Sequence, residues 1–170
     1  LRKCVGKILV IDDLADRKHD CDVLLDQNLN VDMGTRYNDK VSANCKLLLG
    51  PKYALLRDEF FEMRKYARPR SGRIKNVLFF FGGVDSNNDT GSALAALISS
   101  GGKHLNVDVV IGMQNPFSQE IQSICEKYGF SCHKQTKKMA ELMRKADLAI
   151  GAGGISTYER LYLRLPGILK

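Results

Sequence analysis

The chain has 170 residues, 44% of them hydrophobic and 26% charged, and a formal net charge of +7. At this length it is one large domain or two small ones, and no apolar run approaches the roughly 18 residues that would carry it stably through a bilayer. The basic residues are scattered (Arg64-Lys65, Arg68, Arg70, Arg73, Lys137-Lys138, Arg144-Lys145) without interleaved aromatics, so no nucleic-acid partner is expected and the charge reads as a solvated face with some attraction for anionic small molecules.

Five cysteines (4, 21, 45, 125 and 132) form no Cys-x-x-Cys pair, and His19, His104 and His133 show no ligand spacing with them. That pattern fits buried free thiols in a cytoplasmic protein, with neither disulfides nor a structural metal. No signal peptide is visible. The chain opens at Leu1 without an initiator Met and closes on Gly167-Ile168-Leu169-Lys170, which reads as the start of a strand. Both ends therefore look cut from something longer.

In chain order, Lys7–Ile11 reads as a strand ending in Asp12-Asp13, which suit turn acids or a helix cap, and Val23–Leu25 as a short strand. A polar stretch over 28–44 reads as loop. Lys46–Leu49 then leads through Gly50-Pro51 into a helix over 53–66, whose Leu55, Leu56, Phe60 and Met63 share one face. Residues 67–73, with Pro69, Gly72 and several charges, make the best linker and set a boundary between domains at 1–68 and 73–170.

From Arg73 onward strands alternate with helices. The strands are 77–81, 107–111, 130–133, 148–150 and 167–169; the helices are 90–100, 116–128, 138–145 and 155–163. This alternation predicts βαβ units and a parallel sheet with helices on both faces, with Val77–Phe81 central. The unbroken apolar run Val77-Leu78-Phe79-Phe80-Phe81 agrees, because parallel strands are buried on both sides.

Two segments carry chemistry. Gly151-Ala152-Gly153-Gly154-Ile155-Ser156-Thr157-Tyr158-Glu159 follows an apolar strand and opens a helix. Glycines there let a phosphate approach the backbone, and the helix N-terminus offers unpaired N–H groups and a positive dipole end. Glu159, one turn on, is placed to accept hydrogen bonds from a ribose. The run Phe81-Gly82-Gly83-Val84-Asp85-Ser86-Asn87-Asn88 repeats the pattern. Two such turns at strand carboxyl ends point to a nucleotide diphosphate held across a crevice. Neither matches the Gly-x-Gly-x-x-Gly or P-loop spacing.

Further residues carry a resemblance. They are Ile11-Asp12-Asp13-Leu14, His19-Asp20-Cys21-Asp22, Leu24–Asn28, Gly50-Pro51-Lys52-Tyr53-Ala54-Leu55-Leu56-Arg57, Glu59-Phe60, Met139-Ala140-Glu141-Leu142-Met143 and Ala146-Asp147. With the two glycine turns, this resembles the UDP-sugar hydrolase of pseudaminic acid biosynthesis, a family also described as spore-coat polysaccharide or flagellin-modification proteins, over nearly the whole chain. The tail also looks like the nucleotide half of the lipid-II-forming N-acetylglucosaminyltransferase.

The resemblance implies an α/β fold of two Rossmann-like parallel-sheet domains of glycosyltransferase-B type, the first truncated here. It implies release of UDP from a UDP-linked diacetamido-trideoxy-altrose with inversion, without a cofactor. A glycosyltransferase of the same fold, or a non-catalytic UDP-binding module, is the alternative. By matching position, Gly153, Gly154, Ile155 and Ser156 would hold the diphosphate and Glu159 the ribose. The segment from His133 to Met139 would line the uracil, and Gly83 and Asp85 would close the phosphate side. Asp13, Tyr53 and Arg57 would face the sugar.

The family carries Trp where Tyr158 stands and Gly where Arg164 stands. Its catalytic histidine sits in a Gly-x-Gly-His-x-x-Arg loop after the very first strand, and nothing here matches that loop. The resemblance therefore puts the general base upstream of Leu1.

Overall fold

The computed structural model describes residues 2–70 and 72–170; Leu1, and Ser71 within the expected linker, lie outside the described residues. The fold is α/β and divides into two compact units, Leu1–Leu55 and Leu56–Lys170. Each is taken by itself.

In the first unit, β1 (Leu9–Ile11), β2 (Val23–Asp26) and β3 (Lys46–Leu49) form a parallel sheet in the order β1-β2-β3. Its core gathers Cys21, Leu24 and Tyr37, with Val10, Cys45 and Leu49 against them. Tyr37 comes from the polar 28–44 stretch, which forms turns as expected and yet carries one fully buried ring into the core.

The second unit holds α1 (Asp58–Arg64), β4 (Asn76–Phe80), α2 (Asp89–Ser99), β5 (Asn106–Ile111), α3 (Ser118–Tyr128), β6 (Ser131–Lys134), α4 (Met139–Lys145), β7 (Leu148–Gly151), α5 (Ile155–Tyr162) and β8 (Gly167–Leu169). All five strands are parallel, in the order β6-β5-β4-β7-β8, so β4 is central as its apolar run requires. Alternate residues of the strands feed two cores. Leu78, Val110 and Ala149 pack with Phe60, Ala140, Met143 and Leu163 of α1, α4 and the end of α5. On the other face Val77, Phe79 and Val109 pack with Leu94 of α2 and Ile121 and Cys125 of α3. The sheet is doubly wound.

Two expectations need correction. The helix drawn over 53–66 is shorter: Pro51–Tyr53 is a single 3-10 turn, Ala54 and Arg57 are extended, and α1 starts at Asp58. Asp58 and Glu59 then sit at its positive end and Arg64 at its negative end, the favourable arrangement of charge on the helix dipole. Leu55, read as part of its apolar face, is exposed. Phe60, fully buried, anchors α1 in the second unit's core, and the division into compact units falls ahead of this helix.

The stretch read as a linker is tied down within the second unit. The Arg70 guanidinium donates to the carbonyls of Met143 at 2.9 Å, Arg144 at 3.1 Å and Ala146 at 3.2 Å, and also to that of Leu163. It thereby satisfies the orphan carbonyls at the C-terminal ends of α4 and α5. Asp147 receives Arg68 at 2.8 Å and the backbone N–H groups of Lys75 and Asn76 at 3.0 and 2.9 Å. Burial pushes its carboxyl upward, but these donors win and hold it below the ordinary carboxylate value.

Candidate nucleotide-binding site

In an open parallel sheet the crevice lies outside the carboxyl ends of two neighbouring strands whose connections leave in opposite directions. Here those strands are β4 and β7. The chain leaves β4 for α2 on one face and leaves β7 for α5 on the other. The two glycine-rich turns read from the sequence are the connections at this point.

Glycine is required there by close backbone approach. A Cβ on Gly151 would sit 1.9 Å from the Phe80 carbonyl oxygen, and one on Gly112, in the loop after β5, 1.8 Å from that of Gly83. By contrast, nothing lies within 4 Å of the Cβ positions of Gly153 and Gly154. Gly154 has φ 107° and ψ −155°, a conformation that side-chain-bearing residues rarely adopt. These two residues present bare backbone at the mouth of the crevice.

The helices that follow the turns differ at their first residues. At α2 the Asp85 carboxylate accepts the N–H groups of Asp89 at 2.8 Å and Thr90 at 3.1 Å, while Asn88 accepts that of Gly91 at 3.1 Å. The left-handed backbone of Asp85 (φ 49°) and Asn88 (φ 53°) turns both side chains onto the helix end. At α5 no side chain caps the terminus, and no acid occupies its first turn. Ser156 is buried with its hydroxyl toward the Ala152 carbonyl at 3.5 Å, and Ile155 is exposed.

Glu159, expected one turn into α5, is 4% exposed. Its Oε1 accepts a hydrogen bond from Arg57 Nε at 3.1 Å and is ion-paired with Nη2 at 3.1 Å, and Arg57 Nη1 also meets Glu59 Oε1 at 2.7 Å. Glu59 Oε2 accepts the Ala140 N–H at 3.1 Å, at the start of α4. Burial pushes the Glu159 carboxyl above its ordinary range, with Arg57 opposing. The structure thus brings together Glu159 and Arg57, which the sequence analysis assigned to different parts of the ligand.

The remaining expected residues are placed as follows. Gly83 lies exposed in the β4–α2 loop against Gly112. The Met139 side chain is buried in the core beside Phe60 and Leu142, whereas residues 135–138 before it are exposed or half-exposed. In the first unit, Asp13 is exposed after β1 with its carbonyl accepting from Arg36 at 2.9 Å, and Tyr53 is half-buried under Lys52.

Sequence reasoning missed a buried polar cluster in the first unit. The Tyr37 hydroxyl lies 3.0 Å from Asp12 Oδ2 and 3.2 Å from Asp26 Oδ2, at the carboxyl ends of β1 and β2. His19 Nε2 stands 3.5 Å from Asp12 and Arg36 Nε 3.5 Å from Asp26. Asp12, read as a turn acid or a helix cap, is 7% exposed. Burial pushes its carboxyl upward, but the Ala15 N–H, the Tyr37 hydroxyl and His19 hold it below the ordinary value. Of the other histidines, His104 Nδ1 contacts the Gly101 carbonyl at 3.0 Å and His133 Nε2 pairs with Asp108 at 2.6 Å.

Among the described residues no group of three His, Cys, Asp or Glu side chains could hold a metal ion, and no helix is long and apolar enough to cross a membrane. A hollow of about 800 Å³, lined by Arg68, Arg70, Arg73, Lys75 and Asp147, opens at the amino ends of β4 and β7. Position relative to the switch point decides against it as the site.

No family model matches the chain. It is 34% identical over 126 residues to an uncharacterized protein of Methanocaldococcus jannaschii, covering 71% of this chain and 26% of that protein. It is 33% identical over 129 residues to the spore coat polysaccharide biosynthesis protein SpsG of Bacillus subtilis, covering 74% of this chain and 38% of SpsG. The chain thus matches about a quarter and under two fifths of these relatives' lengths, and it is a distant homologue of SpsG.

Proposed function

We propose that this chain supplies the nucleotide side of a UDP-sugar hydrolase, which releases UDP from a UDP-linked diacetamido-trideoxyhexose with inversion. The observation that carries the reading is the uncapped, acid-free N-terminus of α5 at the β4–β7 switch point, with bare glycine backbone before it and a buried carboxylate one turn along. Backbone amides of 153–156 and the Ser156 hydroxyl hold the diphosphate and disperse the charge that builds on departing UDP. Glu159 accepts the ribose hydroxyls. Asp13 and Tyr53 are assigned to the sugar side. Homology to SpsG, a protein of polysaccharide biosynthesis, supports an activated sugar as substrate.

Inversion requires a base that activates water on the face of the sugar opposite UDP, within about 3 Å of that water. The His19 side chain, 9% exposed, faces Asp12, and His104 and His133 are engaged by Gly101 and Asp108. The family resemblance implies a histidine loop as the source of the base, outside residues 1–170, and the reading adopts that assignment.

The test is UDP release from the diacetamido substrate, with product configuration followed by NMR, for the full-length protein and for residues 1–170 alone. The full-length protein should give the inverted sugar, and residues 1–170 should be slower by at least about a hundred- to ten-thousandfold, the worth of a positioned base. No UDP release by the full-length protein would overturn the hydrolase reading. Turnover by residues 1–170 near the full rate would put the base inside them, with His19 the first suspect.

A further inference from the structure

We propose that Arg57 is a positioning residue for the ribose carboxylate: it holds Glu159 ionised and aimed, and does not itself face the sugar. The inference rests on the reading of Glu159 given above and deepens it. Arg57 lies in extended backbone directly before α1, and three groups fix its guanidinium. The Phe60 ring lies 5.1 Å below it, Glu59 takes Nη1 at 2.7 Å, and Glu159 takes Nε and Nη2 at 3.1 Å each. A guanidinium seated on an aromatic face and clamped between two carboxylates is preorganised.

Both contacts with Glu159 fall on the same oxygen, Oε1. A ribose diol offers two donors to one carboxylate, so the geometry assigns Oε2 to the ribose while Oε1 stays with the protein. The need for such a partner follows from burial. A carboxylate that is 4% exposed loses most of its hydration and favours its neutral form, which is the poorer acceptor. The charges acting on Glu159 are Arg57, which counters this tendency, and Glu59, which adds to it. Arg160, on the same helix, directs its guanidinium to the Ser156 carbonyl at 3.2 Å and Thr157 Oγ1 at 3.1 Å.

The arrangement also ties the ribose site to α4. Glu59 forms an ion pair with Arg57 through one oxygen and accepts the Ala140 N–H through the other, so a run of polar contacts links the start of α4 to Glu159 on α5.

The experiment is calorimetry of the full-length protein and its Arg57→Gln and Arg57→Lys variants with UDP and with 2′,3′-dideoxy-UDP across pH 5 to 8.5. The wild-type protein should prefer UDP over the dideoxy analogue. Arg57→Gln should weaken UDP about tenfold near neutral pH, move the acid-side loss of UDP affinity to higher pH, and leave the dideoxy analogue within about twofold. Arg57→Lys keeps the charge and should restore most of the pH profile. If the wild type binds neither ligand, the nucleotide-site reading fails. The present inference fails instead if UDP binds but Arg57→Gln leaves the pH profile unmoved, weakens both ligands equally as a phosphate contact would, or tightens UDP as a displaced competitor would. Should Arg57→Gln not fold, Arg57→Lys with the two ligands still decides, since loss of the second guanidinium donor should reduce the preference for UDP.

Discussion

The N-termini of α2 and α5 are built from the same ingredients and end in opposite states. Each follows a neighbouring strand of the same sheet and a glycine-rich turn, yet α2 is closed by Asp85 and Asn88 while α5 is left open. An anion approaching α2 meets the carboxylates of Asp85 and Asp89, whereas at α5 it meets bare backbone. The difference shows that a strand–glycine–helix pattern announces a possible anion site and that the first polar side chains decide whether the fold has already filled it. Asp85, expected on the phosphate side of the ligand, shares the capping of α2 with Asn88.

The largest disturbance of this comparison should come from Gly151→Ala, which drives a Cβ to 1.9 Å from the Phe80 carbonyl oxygen at the strand pair both turns rest on. Backbone has no rotamer with which to yield, so a loss of about 3 kcal/mol in urea unfolding is expected; an unchanged midpoint would refute the close approach. Glu159→Ala should weaken UDP about ten- to a hundredfold, the loss of charge-assisted hydrogen bonds worth roughly 1.5–3 kcal/mol. UDP should also be preferred to GDP and ADP, and equal calorimetric affinities would count against the assignment.

Asp85→Ala sharpens the contrast. It should cost about 0.5–2 kcal/mol of stability, as loss of a helix cap does, and leave UDP affinity within about twofold. A loss of affinity as large as that of Glu159→Ala would place α2 in the site as well. The smallest effect concerns acid. Asp12 and Asp147 both titrate below their ordinary value of 3.8, so their contribution is present above that value and fades as pH falls through the lower folded values. Stability should therefore decline below about pH 4, and Asp12→Asn should flatten part of that decline; an identical acid profile for the variant would show that Asp12 does not contribute.

Much of the second unit was legible because its strands are continuous apolar runs and its helices carry plain stop signals. Gly129 is one: it closes α3 at φ 71°, with Phe130 N–H returning to the Cys125 carbonyl. What failed was reach along the chain. The apolar spacing of 53–66 does not reveal that Ala54 and Arg57 are extended, nor that Phe60 is buried with Leu163, a partner from the far end of the unit. Charges and proline at 67–73 signalled a linker, but Arg70 is drawn in by carbonyls 73 to 93 residues away. The Tyr37 cluster was invisible for the same reason, since a tyrosine in a polar stretch carries no mark that two strand-end acids will enclose it.

The central claim is that the open terminus of α5 is the diphosphate site. Its most direct test is a crystal structure of the full-length protein with UDP. The account predicts the diphosphate against the backbone N–H groups of 153–156, the ribose hydroxyls on Glu159 with Arg57 still on Oε1, and the Asp85 cap of α2 undisturbed. UDP seated on the α2 terminus, or at the arginine-lined hollow at the amino ends of β4 and β7, would contradict it.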